Sequence, residues 1–303
     1  MGPTASGKTG AAVHLYQHLP VEIISVDSAL VFKDMNIGTA KPDLATLAIA
    51  PHHLIDVINP TCAYSAANFR SDALQLMADI TSRGKIPLLV GGTMLYFRAL
   101  ENGLSGLPEA NAEVRALLDA EAAEIGWPAM HDKLTQIDTL TAARLMSNDS
   151  QRIQRALEVH AITGKTMTQL FAEQTNEALP YNLIKIALIP SDRAVLHARI
   201  ATRFDEMLKA GLVEEVRALI TQYPSLSPES TSMRCVGYRQ VLEHLRGDYD
   251  VVELRNRGIF ATRQLAKRQL TWLRGMDSVV MLDCLDLELN ELVLNTVNQL
   301  FND

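Results

Sequence analysis

The stretch Gly2-Pro3-Thr4-Ala5-Ser6-Gly7-Lys8-Thr9 follows the pattern G-x-x-x-x-G-K-[S/T]. Two glycines let such a loop curl so that successive backbone N–H groups point inward, and the next helix adds the partial positive charge of its N-terminus. The pattern predicts a phosphate-binding loop, in which Lys8 reaches the outer phosphates and the Thr9 hydroxyl holds a magnesium ion. Residues 2–9 are therefore assigned to binding a diphosphate or a nucleotide.

The rest of the chain alternates between apolar runs and helical patterns. We predict strands at 21–26, 53–58, 86–90, 183–189 and 278–282, most of them separated by amphipathic helices. This alternation indicates an α/β fold, a P-loop NTPase-like parallel sheet flanked by helices. A phosphate-binding loop normally follows a buried strand, and only Met1 precedes this one. We therefore expect the first strand to be absent from this chain.

Between 107 and 179 the strand-like runs disappear, and segments rich in Ala, Glu, Leu and Arg take their place. This change predicts an all-helical insertion domain at 107–179. The catalytic core then consists of 1–106 and 180–303.

The charge of the chain is unevenly distributed. The net charge of −7 argues against a protein that simply coats nucleic acid. However, 263–274 contains Arg263, Lys267, Arg268 and Arg274 and no acid, on a predicted helix from 259 to 274. A local basic strip on an acidic protein indicates a polyanion that binds at one place.

Three cysteines, Cys62, Cys235 and Cys284, lie far apart in the sequence. Such spacing predicts free thiols in a reducing cytoplasm. No apolar run approaches the roughly 20 residues that a bilayer crossing needs.

Asp27 follows the predicted strand 21–26, at the edge of a parallel sheet where ligands bind. Its carboxylate can accept a proton from an attacking hydroxyl or amine, and this is the favoured interpretation. The alternative is a magnesium ligand or a structural carboxylate. A GTPase is disfavoured because no N-K-x-D motif occurs, and a motor ATPase because strand 86–90 ends in Gly91-Gly92. The classes that remain are a kinase that uses ATP, a group transferase and a non-enzymatic RNA-binding protein.

Arg199 and Arg203, four apart on a predicted helix, are candidates to reach the diphosphate.

Six motifs together resemble the tRNA dimethylallyltransferase (tRNA isopentenyltransferase) family. They are GPTASGKT (2–9), SVDS (25–28), IGTAKP (37–42), VGGT (90–93), RCVGYR (234–239) and KRQLTWLR (267–274). The resemblance implies transfer of a dimethylallyl group from dimethylallyl diphosphate to the exocyclic amine of the adenosine 3′ of the anticodon. The acceptors would be tRNAs that read codons starting with U, with Mg²⁺ as cofactor.

The resemblance also implies roles for individual residues. Asp27, Thr93 and Lys8 are expected to be catalytic, with Asp27 as the base and Thr9 as the metal ligand. Contacts to tRNA are expected from Asp27, Ser28, Ala29, Leu30, Thr93, Arg115, Gln151, Arg152, Ile153, Gln154, Arg155, Arg234, Cys235, Val236, Gly237, Tyr238, Arg239, Lys267, Arg268, Gln269, Leu270, Thr271, Trp272, Leu273 and Arg274.

Each assignment has a plainer alternative. Arg152 and Arg155 are spaced as on any solvated helix face. Spacing alone favours a core position for Trp272 over stacking on a base.

The expected partners are the tRNA anticodon stem-loop and dimethylallyl diphosphate, with no membrane, and the chain is expected to act as a monomer.

Overall fold

The computed structural model describes residues 1–103, 106–173 and 179–302, apart from the side chain of Asn302. The chain divides into two compact units, Met1–Leu100 with Pro180–Asp303, and Glu101–Leu179. The predicted insertion, 107–179, falls within the second unit, and its residues 174–178 lie outside the described residues.

The strands are β1 (Val21–Val26), β2 (His52–His53), β3 (Ile86–Gly91), β4 (Ile186–Ile189) and β5 (Val280–Asp283). The helices are α1 (Lys8–His18), α2 (Leu44–Ile49), α3 (Ala66–Ser82), α4 (Met94–Asn102), α5 (Ala112–Ile137), α6 (Thr139–Ala142), α7 (Ser150–Thr163), α8 (Met167–Ala172), α9 (Arg193–Lys209), α10 (Leu212–Gln222), α11 (Tyr238–Leu245), α12 (Val251–Arg274) and α13 (Leu289–Asn302). Helices α5 to α8 belong to the smaller unit. Among the described helices, none combines the length and apolar character that a bilayer crossing requires.

The larger unit is an α/β structure, and the predicted parallel pairing of its strands is confirmed. β1 pairs in parallel with β2 on one side and β3 on the other, while β4 pairs in parallel with β5. Before the loop at 2–9, the described residues contain no strand. Met1 nevertheless bonds to β4 as a parallel neighbour would: its nitrogen donates to the Ile186 carbonyl at 2.8 Å, and its carbonyl accepts from the Leu188 N–H at 2.9 Å.

The predicted strand at 53–58 is wrong in extent. β2 contains only His52–His53, and Ile58 forms a single bridge to Phe32. Leu54 and Asp56 have φ angles of 62° and 56°, which a strand cannot accommodate. The segment therefore turns after His53 instead of continuing along β1.

Apolar side chains hold the flanking helices against these strands. Ser65 and Asn68 form a capping box at the start of α3. Helix α12 begins earlier than the predicted 259, at Val251, and buries its apolar stripe of Ile259, Ala266, Leu270 and Leu273. Its buried face packs beside α9, where Ile200 and Phe204 lie in the same hydrophobic cluster as Leu270.

A Gly258→Ala substitution in α12 is expected to destabilise the protein by about 1–3 kcal/mol. A β-carbon at Gly258 would lie 1.9 Å from Phe204 Cζ, so the ring or the helix must move. The helix-propensity gain of up to about 1 kcal/mol offsets only part of that strain. Urea unfolding measures the change. Gly275→Ala is the control, since its β-carbon would have only ordinary contacts, the nearest at 3.7 Å; equal stability of the two variants would contradict this account.

The smaller unit is built from helices around its own apolar core. Leu118, Met130, Leu134 and Ile153 are among its buried side chains. Helix α5 is broken at Gly126, whose φ of 81° and ψ of 155° are not helical. The fully buried carboxylate of Glu158 lies within this unit and accepts hydrogen bonds from several donors.

Candidate active site

The loop at 2–9 has the tight geometry that its sequence predicts. Ala5 and Gly7 adopt left-handed φ angles of 62° and 79°, and Gly7 caps α1 without a side-chain hydrogen bond. A β-carbon at Gly2 would lie 2.6 Å from Ser6 Oγ and 2.9 Å from the Leu188 carbonyl, so the backbone packs too closely for a side chain. The unsatisfied N–H groups at the start of α1 give this loop a local preference for anions.

Lys8 folds back over the loop. Its Nζ donates a hydrogen bond to the Pro3 carbonyl at 2.5 Å. Burial lowers the pKa of Lys8 to about 8, with the neighbouring Asp27 carboxylate acting in the opposite direction and the Arg203 guanidinium in the same one. A buried cation without a formal ion pair is well placed to bind an anionic ligand.

Asp27 stands at the carboxyl end of β1. Its Oδ1 accepts a hydrogen bond from the Ala29 N–H at 2.8 Å. Burial raises the pKa of this carboxyl, although the hydrogen bond and the nearby Lys8 lower it in part. A carboxyl with a raised pKa in a cavity has the properties of a general base.

Thr93 follows β3, the neighbour of β1, and reaches the same edge of the sheet. Its Oγ1 accepts a hydrogen bond from the Ser28 N–H at 3.0 Å and donates to Ser28 Oγ at 3.3 Å. The parallel pairing of β1 with β3 accounts for this contact, since Val26 is in register with Gly91.

A cavity of about 330 Å³ in the larger unit is lined by residues of the loop 2–9 and by Asp27, whereas Ser28 and Thr93 are not among its lining residues. Lys8, Asp27 and Arg203 contribute charge to its wall, whereas Ile200, Phe204 and Met207 contribute apolar surface. The loop residues lining it are Thr4, Ala5, Ser6, Gly7, Lys8 and Thr9. The Ser6 and Ser25 hydroxyls in its wall are buried, and among the residues that the structure describes they have no hydrogen-bond partner. A site whose wall combines positive charge with apolar surface suits a ligand that is a phosphate ester of a small hydrocarbon.

Of the two arginines proposed for the diphosphate, only Arg203 lines the cavity. Burial lowers its pKa, and the nearby Asp27 carboxylate works against this shift. Within the described part of the chain, no hydrogen bond or ion pair engages the Arg203 guanidinium. Arg199 instead donates to the Cys284 carbonyl at 3.0 Å.

Comparison with known proteins agrees with this geometry. A family model described as IPP transferase matches residues 30–276. A curated protein of Methylobacillus flagellatus named tRNA dimethylallyltransferase is 69% identical over 94% of this chain and 91% of its own length. This chain belongs to the IPP transferase family.

Two solved structures resemble the whole chain. A tRNA isopentenylpyrophosphate transferase from Bacillus halodurans is 35% identical, with a TM-score of 0.72 over 99% of this chain and 94% of that one. A eukaryotic dimethylallyltransferase described as acting on tRNA is 26% identical, with a TM-score of 0.81 over 99% of this chain and 78% of that one. The resemblance to the IPP transferase family therefore extends from sequence to fold.

In this member of the IPP transferase family, the segment 267–274 divides between two faces of α12. Lys267, Arg268, Thr271, Trp272 and Arg274 are exposed, whereas Gln269, Leu270 and Leu273 are buried. The interpretation of Trp272 as a core residue is wrong: its side chain is 41% exposed, and the Arg98 guanidinium lies 5.7 Å from its ring centroid. Trp272 falls on the opposite side of the helix from the apolar residue two positions before it.

Gln269 faces the cavity instead of solvent. Its Oε1 accepts from the Thr4 N–H at 2.9 Å, and its Nε2 donates to the Gly92 carbonyl at 2.8 Å. The side chain thereby fastens the loop 2–9 to the end of β3, one residue before Thr93. The motif located this residue, but its spacing did not show that the side chain points inward.

The segment 234–239 also has mixed exposure. Arg234 and Arg239 are exposed, Gly237 and Tyr238 are buried, and Cys235 and Val236 line the cavity. Burial raises the pKa of the Cys235 thiol to about 12, so it remains protonated at neutral pH. Ala29 and Leu30 line the cavity as well.

Within the smaller unit, two of the predicted tRNA contacts are tied to its interior. Arg115 and Arg155 both bond to the buried Glu158, at 2.9 Å and 2.7 Å. Arg152 is 72% exposed and pairs with Asp149 at 2.9 Å. Gln151 is exposed, Gln154 donates to Asp119, and Ile153 is buried.

Proposed function

We propose that this chain transfers a dimethylallyl group from dimethylallyl diphosphate to tRNA. Membership of the IPP transferase family and the names of its relatives support the reaction. The observation that carries the proposal is the composition of the cavity, whose wall includes the cations Lys8 and Arg203, the Asp27 carboxylate, and the apolar side chains of Ile200, Phe204 and Met207.

The donor would bind with its diphosphate on the loop 2–9. The loop N–H groups, Lys8 and Arg203 supply positive charge there, and the apolar wall of Ile200, Phe204 and Met207 suits the five-carbon group. Displacement breaks the bond between the allylic carbon and the diphosphate oxygen. The leaving diphosphate gains charge as this bond breaks, so fixed cations stabilise the transition state more than the ground state.

The acceptor would be the exocyclic amine of the adenosine 3′ of the anticodon, in tRNAs reading codons that start with U. The amine nitrogen forms the new bond to carbon, and its proton passes to the Asp27 carboxylate. An adenine amine is a poor nucleophile because its lone pair is delocalised into the ring, so a nearby base aids the attack. The target base must leave its stack to reach such a cavity, and Ser28 and Thr93 at the sheet edge are proposed to lie beside it.

Mg²⁺ is proposed to assist the departing diphosphate, with Thr9 as the protein ligand. Thr9 lines the cavity with an exposed hydroxyl, and the partnerless Ser25 hydroxyl and the Asp27 carboxylate add oxygen atoms, the ligand type that Mg²⁺ prefers. The described residues contain no cluster of three or more His, Cys, Asp or Glu side chains suited to a metal. When bound, the ion would neutralise negative charge on the phosphates.

The tRNA anticodon stem-loop would be held by exposed basic side chains. Those proposed in the larger unit are Lys267, Arg268 and Arg274 on α12, Arg239 on α11, and Arg234 just before α11. Arg152 supplies a further exposed charge in the smaller unit. Arg115 and Arg155 would contribute mainly by fixing α7, the helix that carries Arg152, because the buried Glu158 engages both. The chain is proposed to act as a monomer in the cytoplasm, where its three unpaired cysteines would stay reduced.

Replacing Arg203 with Ala is expected to raise the KM for dimethylallyl diphosphate about 10- to 100-fold, since one charge-assisted contact to the diphosphate is lost. The KM for tRNA should stay within about twofold, because this guanidinium lines the cavity and is not one of the exposed side chains of the basic strip. Steady-state kinetics with each substrate varied in turn measure both constants. Arg199→Ala is the control, because its side chain bonds to the Cys284 carbonyl. An unchanged donor KM in Arg203→Ala would contradict this role.

The reaction itself is tested by incubating the protein with labelled dimethylallyl diphosphate, Mg²⁺ and unmodified tRNA. We expect label in tRNA, at the adenosine 3′ of the anticodon after nuclease digestion. A tRNA with another base at that position is the matched control. Absence of label with a folded protein would overturn the proposed function.

A further inference from the structure

The carboxylate of Glu215 on α10 accepts hydrogen bonds from two parts of the larger unit that are far apart in sequence. Glu215 Oε2 accepts from the N–H groups of Asn36 and Ile37, at 3.0 Å and 2.8 Å. Its Oε1 accepts from the Gly38 N–H at 3.3 Å and from the Tyr238 hydroxyl at 2.5 Å. Three successive backbone N–H groups therefore converge on one side chain, an arrangement typical of a backbone anion site.

The loop 36–42 is packed directly against the residue that shares this carboxylate. A β-carbon at Gly38 would lie 2.5 Å from Tyr238 Cε2 and 2.8 Å from Leu212 Cδ1. Burial and the adjacent Glu215 raise the pKa of the Tyr238 hydroxyl, so it keeps its proton and donates. The other end of the loop is fixed by Lys41, whose Nζ donates to the Phe32 carbonyl at 3.1 Å and to Asn36 Oδ1 at 2.9 Å.

Both joined segments form walls of the candidate active site. Gly38, Thr39, Ala40 and Pro42 line the cavity from one segment, and 235–237, immediately before Tyr238, line it from the other. Glu215 lies behind these walls and does not line the cavity. It can therefore affect the reaction only through the segments that it holds.

We propose that Glu215 is a positioning residue that joins the wall 36–42 to the wall 235–238 and thereby excludes water from the cavity during prenyl transfer. This inference rests on the proposed function. As the bond between carbon and diphosphate oxygen breaks, the allylic carbon gains positive character and takes an electron pair from the nearest nucleophile. If that nucleophile is water, its oxygen bonds to the carbon, its proton goes to solvent, and the products are dimethylallyl alcohol and diphosphate. A closed wall leaves the acceptor amine as the available nucleophile.

The test compares Glu215→Ala, Tyr238→Phe and Glu214→Ala, each made in the 303-residue chain, with the unchanged protein. Glu214 is the adjacent exposed carboxylate, so its removal changes the net charge equally without releasing the loop. For each variant, labelled dimethylallyl diphosphate and tRNA are supplied, and prenylated tRNA and dimethylallyl alcohol are both measured. Binding of tRNA and hydrogen exchange of the 36–38 amides are measured without donor.

Glu215→Ala is expected to lower kcat for transfer about tenfold or more, and to raise the ratio of alcohol to prenylated tRNA severalfold. Its Kd for tRNA should stay within about twofold, because the exposed basic side chains are untouched. Tyr238→Phe keeps the three backbone hydrogen bonds and should shift the product ratio less, in the same direction. Glu214→Ala should match the unchanged protein.

A loss of transfer without extra alcohol would overturn the water-exclusion role, as would identical product ratios in Glu215→Ala and Glu214→Ala. Absence of transfer by the unchanged protein would instead overturn the proposed function and this role with it. Hydrogen exchange tests the loop contact independently of the product ratio. The 36–38 amides should be protected in the unchanged protein and should lose protection in Glu215→Ala. Equal protection in both would contradict the loop contact itself.

Discussion

An Asp27→Asn variant is expected to transfer the prenyl group about 10² to 10⁴ times more slowly, the range that a general base contributes. The amide keeps the shape of the side chain and an oxygen that can accept from the Ala29 N–H. It cannot take the proton from the attacking amine. Single-turnover rates with saturating donor and tRNA isolate this step from product release.

The pH dependence gives an independent check on Asp27. Because burial raises the pKa of this carboxyl, it binds a proton at a higher pH than an ordinary aspartate, and the rate should rise with pH as the proton is lost. This acid limb should be missing from the profile of Asp27→Asn. The control is Asp277→Asn, an exposed carboxylate remote from the cavity lining, which should leave rate and profile unchanged. A weaker tRNA affinity in Asp27→Asn with an undiminished single-turnover rate would contradict a role as base.

The fold was predictable where local sequence and tertiary contacts agree. The run at 21–26 is apolar enough to be buried on both faces, and β1 has the predicted bounds. The segment 53–58 is similarly apolar, but it turns through left-handed backbone angles at Leu54 and Asp56. A leucine rarely adopts such angles, so its presence does not predict the turn. Asp56 also forms an ion pair with Lys41, fifteen residues away, which local propensity cannot reveal.

The candidate site shows a similar division. Motifs located the loop 2–9, Asp27 and Thr93, and the parallel register of β1 with β3 explains why the last two meet. Their chemical roles stay predictions. Helical spacing put Arg199 and Arg203 on one face, yet only Arg203 lines the cavity, because Arg199 is drawn to the carbonyl of Cys284.

Glu215 could not be found from the sequence at all. Its partners lie about 180 residues before it and in the following helix, with the Ile37 contact spanning 178 positions. Its local surroundings, two acids in the first turn of a helix, are fully explained by the helix dipole. Only the folded chain shows that one of these two carboxylates, Glu215, accepts hydrogen bonds from the loop 36–42.

Replacing Lys8 with Met is expected to lower the transfer rate about 10²- to 10³-fold, the loss typical of removing one group that stabilises developing negative charge. In the proposed reaction the Lys8 cation interacts with the leaving diphosphate, and Met retains the apolar stem without the charge. The pKa of about 8 also predicts that the rate of the unchanged protein falls above that pH, as Lys8 loses its proton. Lys8→Met should lack this alkaline limb.

As the pH rises above about 8, the free energy of unfolding should increase while the transfer rate falls. The pKa of Lys8 is about 8 in the folded protein and 10.5 ordinarily, so the unfolded chain holds this proton more strongly. The free energy of unfolding should therefore rise with pH between about 8 and 10.5, and Lys8→Met should lose that rise while being at least as stable at pH 7. Lys33→Met is the control, since Lys33 is exposed. Urea unfolding at several pH values measures this. A cation that is kept at the expense of stability is retained for its ligand. A marked loss of stability at pH 7 in Lys8→Met would contradict this view and would show that Lys8 supports the fold.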